Sequence, residues 1–184
     1  MADELFFNYG FAATGINRII ADSGVAKASF YTAFRSKAEL IDAYLEGHHR
    51  RLMEQLDQIE SSSDNMLAKV NQVFNLLALE VQQPGYRGCL FVVASAELTQ
   101  NDAMPARRWV RNHKLAVRDC FRRVFISGGL VDPDEMAEEM VILYEGALVT
   151  TAVRPESGAV DRARLMSLQL IETAGGPNKR RGLV

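Results

Sequence analysis

The apolar residues of this chain recur every three or four positions along almost its whole length, and alternation of apolar with polar residues is nearly absent. A recurrence of three or four positions is typical of one helix face, whereas alternation is typical of a strand. The pattern therefore predicts an all-α protein. The predicted helices cover a short stripe at residues 5–9 and then residues 16–23, 27–33, 36–59, 67–81, 106–127, 135–153 and 160–174.

Residues with strong capping preferences mark the ends of several predicted helices. Thr14 suits the N-cap of helix 16–23, and Gly24 suits the left-handed conformation that ends it. Ser36 and Glu39 have the spacing of a capping box, which opens the long helix 36–59. Helix 135–153 is apolar on nearly all sides after Met140, which predicts that it is buried on more than one face.

Composition and charge narrow the class of protein. The 184 residues are 48% hydrophobic and 24% charged, which is ordinary for a globular protein and excludes a disordered chain or a collagen-like fibre. The net charge of −2 excludes a histone-like polycation. The sequence has no signal-peptide pattern and no apolar run of roughly 18 residues, so we expect a cytoplasmic protein with no membrane segment and with reduced thiols at Cys89 and Cys120.

The segment 14–37 has the pattern of a helix-turn-helix, with two short predicted helices joined by a tight turn at Gly24. Ile19 from the first helix and Phe30 from the second are expected to pack together. The polar residues of the second helix are small or basic, as a helix that enters the major groove requires. The segment holds four cations and one acid, a local net charge of +3 within a chain that is net negative. Of these cations, Arg18 and Arg35 are expected to be solvated or salt-bridged.

At these positions the sequence resembles the TetR family of bacterial transcriptional regulators. The resemblance rests on Leu5, Phe6, Gly10, Thr14, Ile19, Gly24, Val25, Lys27, Phe30, Tyr31, Phe34, Ser36, Lys37 and Leu40. It implies a three-helix DNA-binding head, which we assign to residues 1–46. It also implies a helical domain, 47–176, that binds a small-molecule effector and forms a homodimer. Residues 177–184 are left as a flexible tail.

The resemblance further implies which residues contact double-stranded DNA. By this resemblance, Thr14 and Gly15 begin a helix whose amino end lies on a phosphate. The amino end of a helix suits an anion in any protein. The residues that face base edges are Lys27, Ala28, Ser29 and Thr32. Tyr31 and Lys37 are the residues that bind backbone phosphates. The alternatives are that Tyr31 is a core residue and that Lys37 is a solvated surface residue. Asn17 reaches either a base or a phosphate. Ala26 departs from the family, because a capping Ser or Thr is common there.

Catalytic and metal-binding patterns are absent from the sequence. It contains no phosphate-binding glycine loop, no nucleophile elbow and no zinc-protease motif, so we expect neither an enzyme nor a bound cofactor. His48 and His49 are neighbours and point about 100° apart on a helix, so they cannot share a metal ion. We expect no metal site, and we expect His48 to be a hydrogen-bonded interface histidine, with a lever between head and ligand domain as the alternative.

Aromatic and Met residues at helical spacing give candidates for an effector pocket: Phe74, Leu77, Trp109, His113, Met140 and Tyr144. Plain core packing is the alternative for each of them. Polar handles in such a pocket are expected from His113, Tyr144 and Glu97. Cys89 is a candidate redox residue because Arg87 is close in sequence, although a buried structural cysteine needs no such neighbour. Cys120 lies on an apolar stripe and is expected in the core.

These observations predict a homodimeric transcriptional repressor that leaves a palindromic operator when a small hydrophobic effector binds. The dimer is expected to form through the last two helices, with Leu148 and Leu168 at the interface. The alternative is a helical ligand-binding or thiol redox-sensing protein that acts through Cys89.

Overall fold

The structure is a computed structural model that describes residues 2–98 and 103–174. Its helices are α1 (Ala2–Tyr9), α2 (Ile16–Ser23), α3 (Lys27–Ala33), α4 (Lys37–Ser61), α5 (Met66–Val81), α6 (Leu90–Glu97), α7 (Ala103–Ser127), α8 (Pro133–Val153) and α9 (Ala159–Ala174), with a 3-10 helix at Pro155–Ser157. The predicted all-α class is confirmed, since the described residues contain no strand. None of these helices is both long enough and apolar enough to span a membrane. The predicted tail, 177–184, lies outside the described residues.

The chain divides into two compact units that alternate along the sequence. The first unit is Met1–Leu52 with Gln83–Lys114, and the second is Met53–Gln82 with Leu115–Val184. Helices α4 and α7 therefore contribute residues to both units. The structure groups 83–114 with the first helices, which a single boundary after residue 46 does not anticipate. The functional division into 1–46 and 47–176 stays a prediction.

Aromatic side chains form the centre of the first unit. Phe6 and Phe11 are fully buried, and their rings stack with 4.9 Å between centroids. Tyr44 of α4 packs edge-on against both rings, at 5.2 Å and 5.8 Å. Ile19 of α2 and Phe30 of α3 are buried as well, as predicted for the residues that hold these two helices together.

A tight turn at Gly24 joins α2 to α3. Gly24 has a φ of 66°, and its N–H donates to the carbonyl of Ala21. Because this left-handed conformation favours glycine, the predicted end of α2 is confirmed. Helix α3 begins after Ala26, whose side chain makes no capping hydrogen bond. The departure from the family at Ala26 therefore leaves α3 without a side-chain N-cap.

The amino end of α2 differs from the prediction, because its N-cap is Gly15 and not Thr14. The Thr14 side chain is fully buried. Its Oγ1 lies 2.6 Å from the carbonyl oxygen of Gly10 and 3.2 Å from that of Leu5. The hydroxyl thus donates back toward the end of α1 and is not available to cap α2 or to contact DNA.

The capping box at the start of α4 is present in a shifted form. Ser36 Oγ accepts a hydrogen bond from the Glu39 N–H at 3.1 Å, as predicted. The Glu39 carboxylate accepts from the N–H of Arg35 at 2.5 Å, rather than from that of Ser36. Both hydrogen bonds satisfy N–H groups at the amino end of α4, so the predicted start of this helix is confirmed.

Helices α5, α8 and α9 pack against one another in the second unit. Helix α8 buries one face made of Met136, Ala137, Met140, Tyr144, Ala147 and Leu148. The same helix also exposes apolar side chains, with Ile142 at 70%, Val149 at 60% and Val153 at 75%. Helix α8 is therefore apolar on two faces, but the single chain buries only one of them.

The residues predicted for a dimer interface need correction. Leu148 is 2% exposed and belongs to the core of its own unit, so it is not available to a partner chain. Leu168 is half-buried. The apolar side chains that α8 and α9 leave exposed are Ile142, Val149, Val153, Leu165 and Met166, which we call the α8–α9 apolar face.

Candidate nucleic-acid interface

Helix α3 presents most of its surface to solvent. Phe30 is its one buried residue. The residues predicted to face base edges are all exposed: Lys27, Ala28, Ser29 and Thr32. The Thr32 hydroxyl donates to the Ala28 carbonyl at 2.9 Å, which leaves its oxygen able to accept a hydrogen bond from outside. Small and polar side chains thus cover one continuous surface, which together with Tyr31 we call the α3 surface.

Tyr31 lies on this surface and not in the core. It is 42% exposed, and its ring packs edge-on against Phe30 with 5.5 Å between centroids. The packing holds the ring in place while the residue remains accessible. The core alternative for Tyr31 is therefore wrong, and its contact with a phosphate stays a prediction.

The amino end of α2 is also accessible, since Gly15 and Asn17 are both exposed. The first N–H groups of a helix have no partner within the helix and favour an anion. Arg18 is held away from such a role. Its Nε lies 3.5 Å from Asp22 Oδ2, and its guanidinium lies 3.8 Å from the centroid of the Tyr9 ring. The salt-bridged alternative for Arg18 is confirmed.

Three further cations lie close in sequence to α3. Lys27 and Arg35 are exposed, and Lys37 is half-buried at the start of α4. None of the ion pairs between described residues involves these three side chains. Within the part of the chain that the structure describes, these three cations are not paired with carboxylates, which favours the approach of a phosphate backbone.

Comparisons with known proteins agree with this geometry. Residues 1–44 match the sequence model described as bacterial regulatory proteins, tetR family. The amino-terminal part of the chain is therefore similar to that of TetR-family regulators. The HTH-type transcriptional repressor NemR of Escherichia coli (strain K12) is 36% identical over 101 residues, which are 52% of this chain and 49% of NemR. The alignment thus spans about half the length of NemR.

Longer alignments reach further regulators. The HTH-type transcriptional regulator TtgR of Pseudomonas putida is 26% identical over 167 residues, which are 85% of this chain and 79% of TtgR. The structure of SCO4454, a TetR-family transcriptional regulator from Streptomyces coelicolor, superposes with a TM-score of 0.84 and 25% identity, covering 95% of this chain and 92% of that one. The reduced form of E. coli NemR has a TM-score of 0.77 at 22% identity, over 90% of each chain. These relatives are named as regulators and not as enzymes.

The residues predicted to line an effector pocket are divided between the two units. Phe74, Leu77, Met140 and Tyr144 belong to the second unit, where they are at most 3% exposed. The Tyr144 ring lies 6.2 Å from that of Phe74 and 6.3 Å from that of Phe121. In this structure these side chains pack as core, and their role in binding an effector stays a prediction.

The other two pocket candidates, Trp109 and His113, belong to the first unit and make polar contacts there. Trp109 Nε1 donates to Asp42 Oδ1 at 2.7 Å. The His113 ring stacks on Phe91 at 3.8 Å, and its Nδ1 lies 3.2 Å from Nδ1 of His49. Burial lowers the pKa of His113 to about 3, with the charge of Lys114 and then that of His49 acting in the same direction. The His113 side chain is therefore neutral at neutral pH.

His48 links α4 to α1. Its Nε2 lies 3.1 Å from Asp3 Oδ1, which confirms the expectation of a hydrogen-bonded histidine. Burial lowers the pKa of His48, although the Asp3 carboxylate acts in the opposite direction. No cluster of three or more metal-ligating side chains occurs among the residues that the structure describes.

Cys89 has a cation beside it, but not the one suggested by the sequence. Lys114 Nζ donates to Cys89 Sγ at 3.2 Å, whereas Arg87 is engaged by Glu97. Cys89 is the N-cap residue of α6 and is 7% exposed. It thus has the positive neighbour that a reactive thiol requires but little of the exposure. Cys120 is confirmed as a core residue, since it is 1% exposed, and burial raises the pKa of its thiol to about 12.

Glu97 is not a pocket handle in this structure, because its carboxylate contacts backbone N–H groups of the first unit. This role and those of Asp42 and Lys114 were missed by the sequence analysis. A buried indole N–H usually has an acceptor, so Trp109 signals that a partner exists. No sequence signal says that this partner is Asp42, which lies 67 residues away.

The low pKa of His113 makes folding stability depend on pH. The unfolded chain binds a proton at His113 near pH 6.5, whereas the folded chain does so near pH 3. The stability is therefore complete above pH 6.5 and falls below it, by at most about 1.4 kcal/mol per pH unit. Between pH 6.5 and 5.5, urea unfolding should show that the wild type loses about 1 kcal/mol more than His113→Gln.

The control is Asn112→Gln, which changes an exposed neighbour on the same helix and should keep the wild-type pH dependence. All unfolding curves are measured at one protein concentration. If His113→Gln loses as much stability as the wild type over this interval, His113 is not the group responsible.

Proposed function

We propose that this protein is a DNA-binding transcriptional regulator that reads a palindromic operator with α3. The α3 surface carries this proposal, because nearly every side chain of that helix is exposed although the helix lies within a compact unit. The match of residues 1–44 to the TetR family supports it. Its place of action is then the bacterial cytoplasm, where the DNA is.

The proposed contacts follow from side-chain size and charge. Ala28 and Ser29 are small enough to let the α3 backbone approach base edges in the major groove, which is about 12 Å wide. Lys27 and Thr32 supply hydrogen-bonding groups to those edges, and the Gly15 end of α2 receives a phosphate. The phosphate contacts of Tyr31 and Lys37 fix the position of the head on the duplex but carry no sequence information. Asn17, exposed beside Gly15, reaches either a base or a phosphate.

We propose that the regulator is a homodimer joined through the α8–α9 apolar face. Single apolar side chains are common on protein surfaces. Ile142, Val149 and Val153, however, recur at helical spacing on one side of α8, and an exposed apolar stripe usually marks an interaction site. In a symmetric dimer the same face serves both chains, which suits a surface that runs along two helices. Two heads placed about one helical turn of DNA apart, roughly 34–36 Å, would read a palindrome.

We propose that DNA binding represses transcription and that a small hydrophobic effector relieves this repression. The repressor name of NemR supports the first part, although the alignment covers about half of that protein. The aromatic and Met side chains of α5 and α8 support the second part. Phe74, Leu77, Met140 and Tyr144 are packed, so an effector that entered among them would displace apolar side chains and would itself be largely apolar.

A second candidate trigger is oxidation of Cys89, which is favoured by the hydrogen bond from Lys114 at 3.2 Å. A neighbouring ammonium stabilises a thiolate, which is the form that oxidants attack. The burial of Cys89 slows such attack, and we therefore prefer the effector.

Selection from random DNA at low salt should enrich a palindromic motif. Lys37→Ala should weaken binding to all sequences alike and reduce the slope of log K against log salt by about 1, because one phosphate contact is lost. Arg154→Ala removes an exposed cation from the second unit and should change neither quantity. A wild-type protein that enriches no motif would rule out operator recognition.

Val149→Glu and Leu165→Glu each place a charge on the α8–α9 apolar face, and light scattering should report monomers because a buried unpaired charge is costly. Val131→Glu, at a residue 86% exposed in the loop before α8, should remain a dimer. A wild type that stays monomeric at micromolar concentration contradicts the proposed dimer.

An effector and the oxidation of Cys89 as triggers lead to different responses to peroxide. A hydrophobic compound that raises the melting temperature of the wild type should also lower its operator affinity, and Cys89→Ser should respond in the same way. Hydrogen peroxide should leave the wild type bound to DNA. Release by peroxide that dithiothreitol reverses, that Cys89→Ser abolishes and that the control Cys120→Ala retains would establish a thiol sensor instead.

A further inference from the structure

The connection between α1 and α2, residues 10–15, has backbone N–H groups that are bonded by a residue far along the chain. Glu97, the last residue of α6, accepts through Oε2 from the Phe11 N–H at 2.6 Å and from the Ala12 N–H at 3.4 Å. Phe11 is fully buried. A carboxylate that accepts from backbone N–H groups makes stronger hydrogen bonds than a neutral acceptor does.

The carboxylate lies directly against the backbone of Gly10. Gly10 has a φ of 85°, and a Cβ at this position would lie 2.5 Å from Glu97 Oε2 and 2.9 Å from Oε1. No side chain fits in that space, and the positive φ disfavours any residue other than glycine. Glu97 is therefore held against this connection in two ways, by its close packing on Gly10 and by its hydrogen bonds to Phe11 and Ala12.

Arg87 completes the arrangement from the other side. Its Nη1 donates to Glu97 Oε1 at 3.2 Å, and its Nη2 donates to the carbonyl oxygen of Phe6 at 3.3 Å. The carboxylate thus binds N–H groups of the α1–α2 connection while the guanidinium binds a carbonyl of α1. The two charges also neutralise each other beside the head.

We call this arrangement of Glu97 and Arg87 the clamp. The connection that it holds, residues 10–15, continues directly into the amino end of α2. The Gly10 carbonyl accepts from the Thr14 hydroxyl at 2.6 Å, and the next residue, Gly15, is the N-cap of α2. The hydrogen bond from Thr14 therefore links the position of Gly10 to that of the N-cap of α2. Gly15 is also the point at which the head is proposed to receive a phosphate.

We propose that Glu97 is a positioning residue for DNA binding, which holds the α1–α2 connection so that α2 and α3 meet the operator in one arrangement. This inference rests on the proposed function of the α3 surface. Without the clamp, the connection samples several conformations, and the free energy of ordering it is subtracted from the free energy of binding.

The sign of the effect separates positioning from simple charge. Removing an acidic residue near DNA strengthens binding if net charge alone matters, because repulsion of the phosphates decreases. Loss of positioning weakens binding. We expect Glu97→Ala to lower operator affinity by about tenfold, from the usual strength of a hydrogen bond to a charged group. Glu46→Ala removes an exposed carboxylate from the same unit and should leave affinity unchanged or slightly higher.

The experiment combines operator affinity with amide hydrogen exchange at Phe11 and Ala12. Glu97→Ala should exchange faster at both amides and bind the operator more weakly, while circular dichroism and light scattering show a folded protein in its wild-type oligomeric state. Glu97→Gln keeps one carbonyl oxygen for the Phe11 N–H, so its loss of affinity should be smaller. It also replaces Glu97→Ala as the test if that variant does not fold.

Operator affinity that equals the wild type in the folded variants overturns the proposal, even if the two amides exchange faster, because Glu97 is then a structural residue alone. A wild type that binds no DNA contradicts the proposed function itself and with it any positioning role. The exchange rates would still report whether the clamp forms, so the two failures are distinguishable.

Discussion

Helix α3 depends on the burial of one side chain, Phe30. A helix of seven residues is too short to persist in water through its backbone hydrogen bonds, because the cost of nucleation is not recovered. Phe30 is 6% exposed and packs against the ring of Phe34, with 5.8 Å between centroids. With the helix anchored there, its remaining positions carry small or polar side chains that contribute nothing to the core. The α3 surface exists because the burial of Phe30 holds the helix against its unit.

Around the aromatic centre of the first unit, polar contacts between sequence-distant residues connect its helices. They join α1 to α4, α4 to α7, and α6 to the α1–α2 connection, through the pairs Asp3–His48, Asp42–Trp109, His49–His113 and Glu97–Phe11. The Asp42–Trp109, His49–His113 and Glu97–Phe11 contacts are partly buried. A polar group that is removed from water destabilises the fold unless it finds a partner, so these three contacts favour one arrangement of their helices. A surface that must match DNA needs such a single arrangement.

Apolar packing forms the core of the second unit. Helix α8 has one apolar face in the core and another in solvent, and neighbouring residues take opposite roles, with Leu148 buried and Val149 exposed. Aromatic side chains fill the space between α5, α7 and α8, as in the contact between Phe74 and Phe121 at 6.4 Å. The candidate pocket residues thus contribute to stability in this structure, and a ligand would have to compete with that packing.

The sequence by itself determined the helices and several of their ends, because these depend on preferences that act over a few residues. Gly24 ends α2 through its own φ, and Ser36 caps α4 through a residue three positions away. The pattern of segment 14–37 likewise predicted the exposed face of α3. Only the tertiary structure decided which groups meet across the chain. Thr14 has the preference of an N-cap, yet its hydroxyl bonds the end of α1 because packing buries it. Glu97 meets Phe11 across 86 residues, a contact that local preference cannot encode, because it arises when whole helices pack.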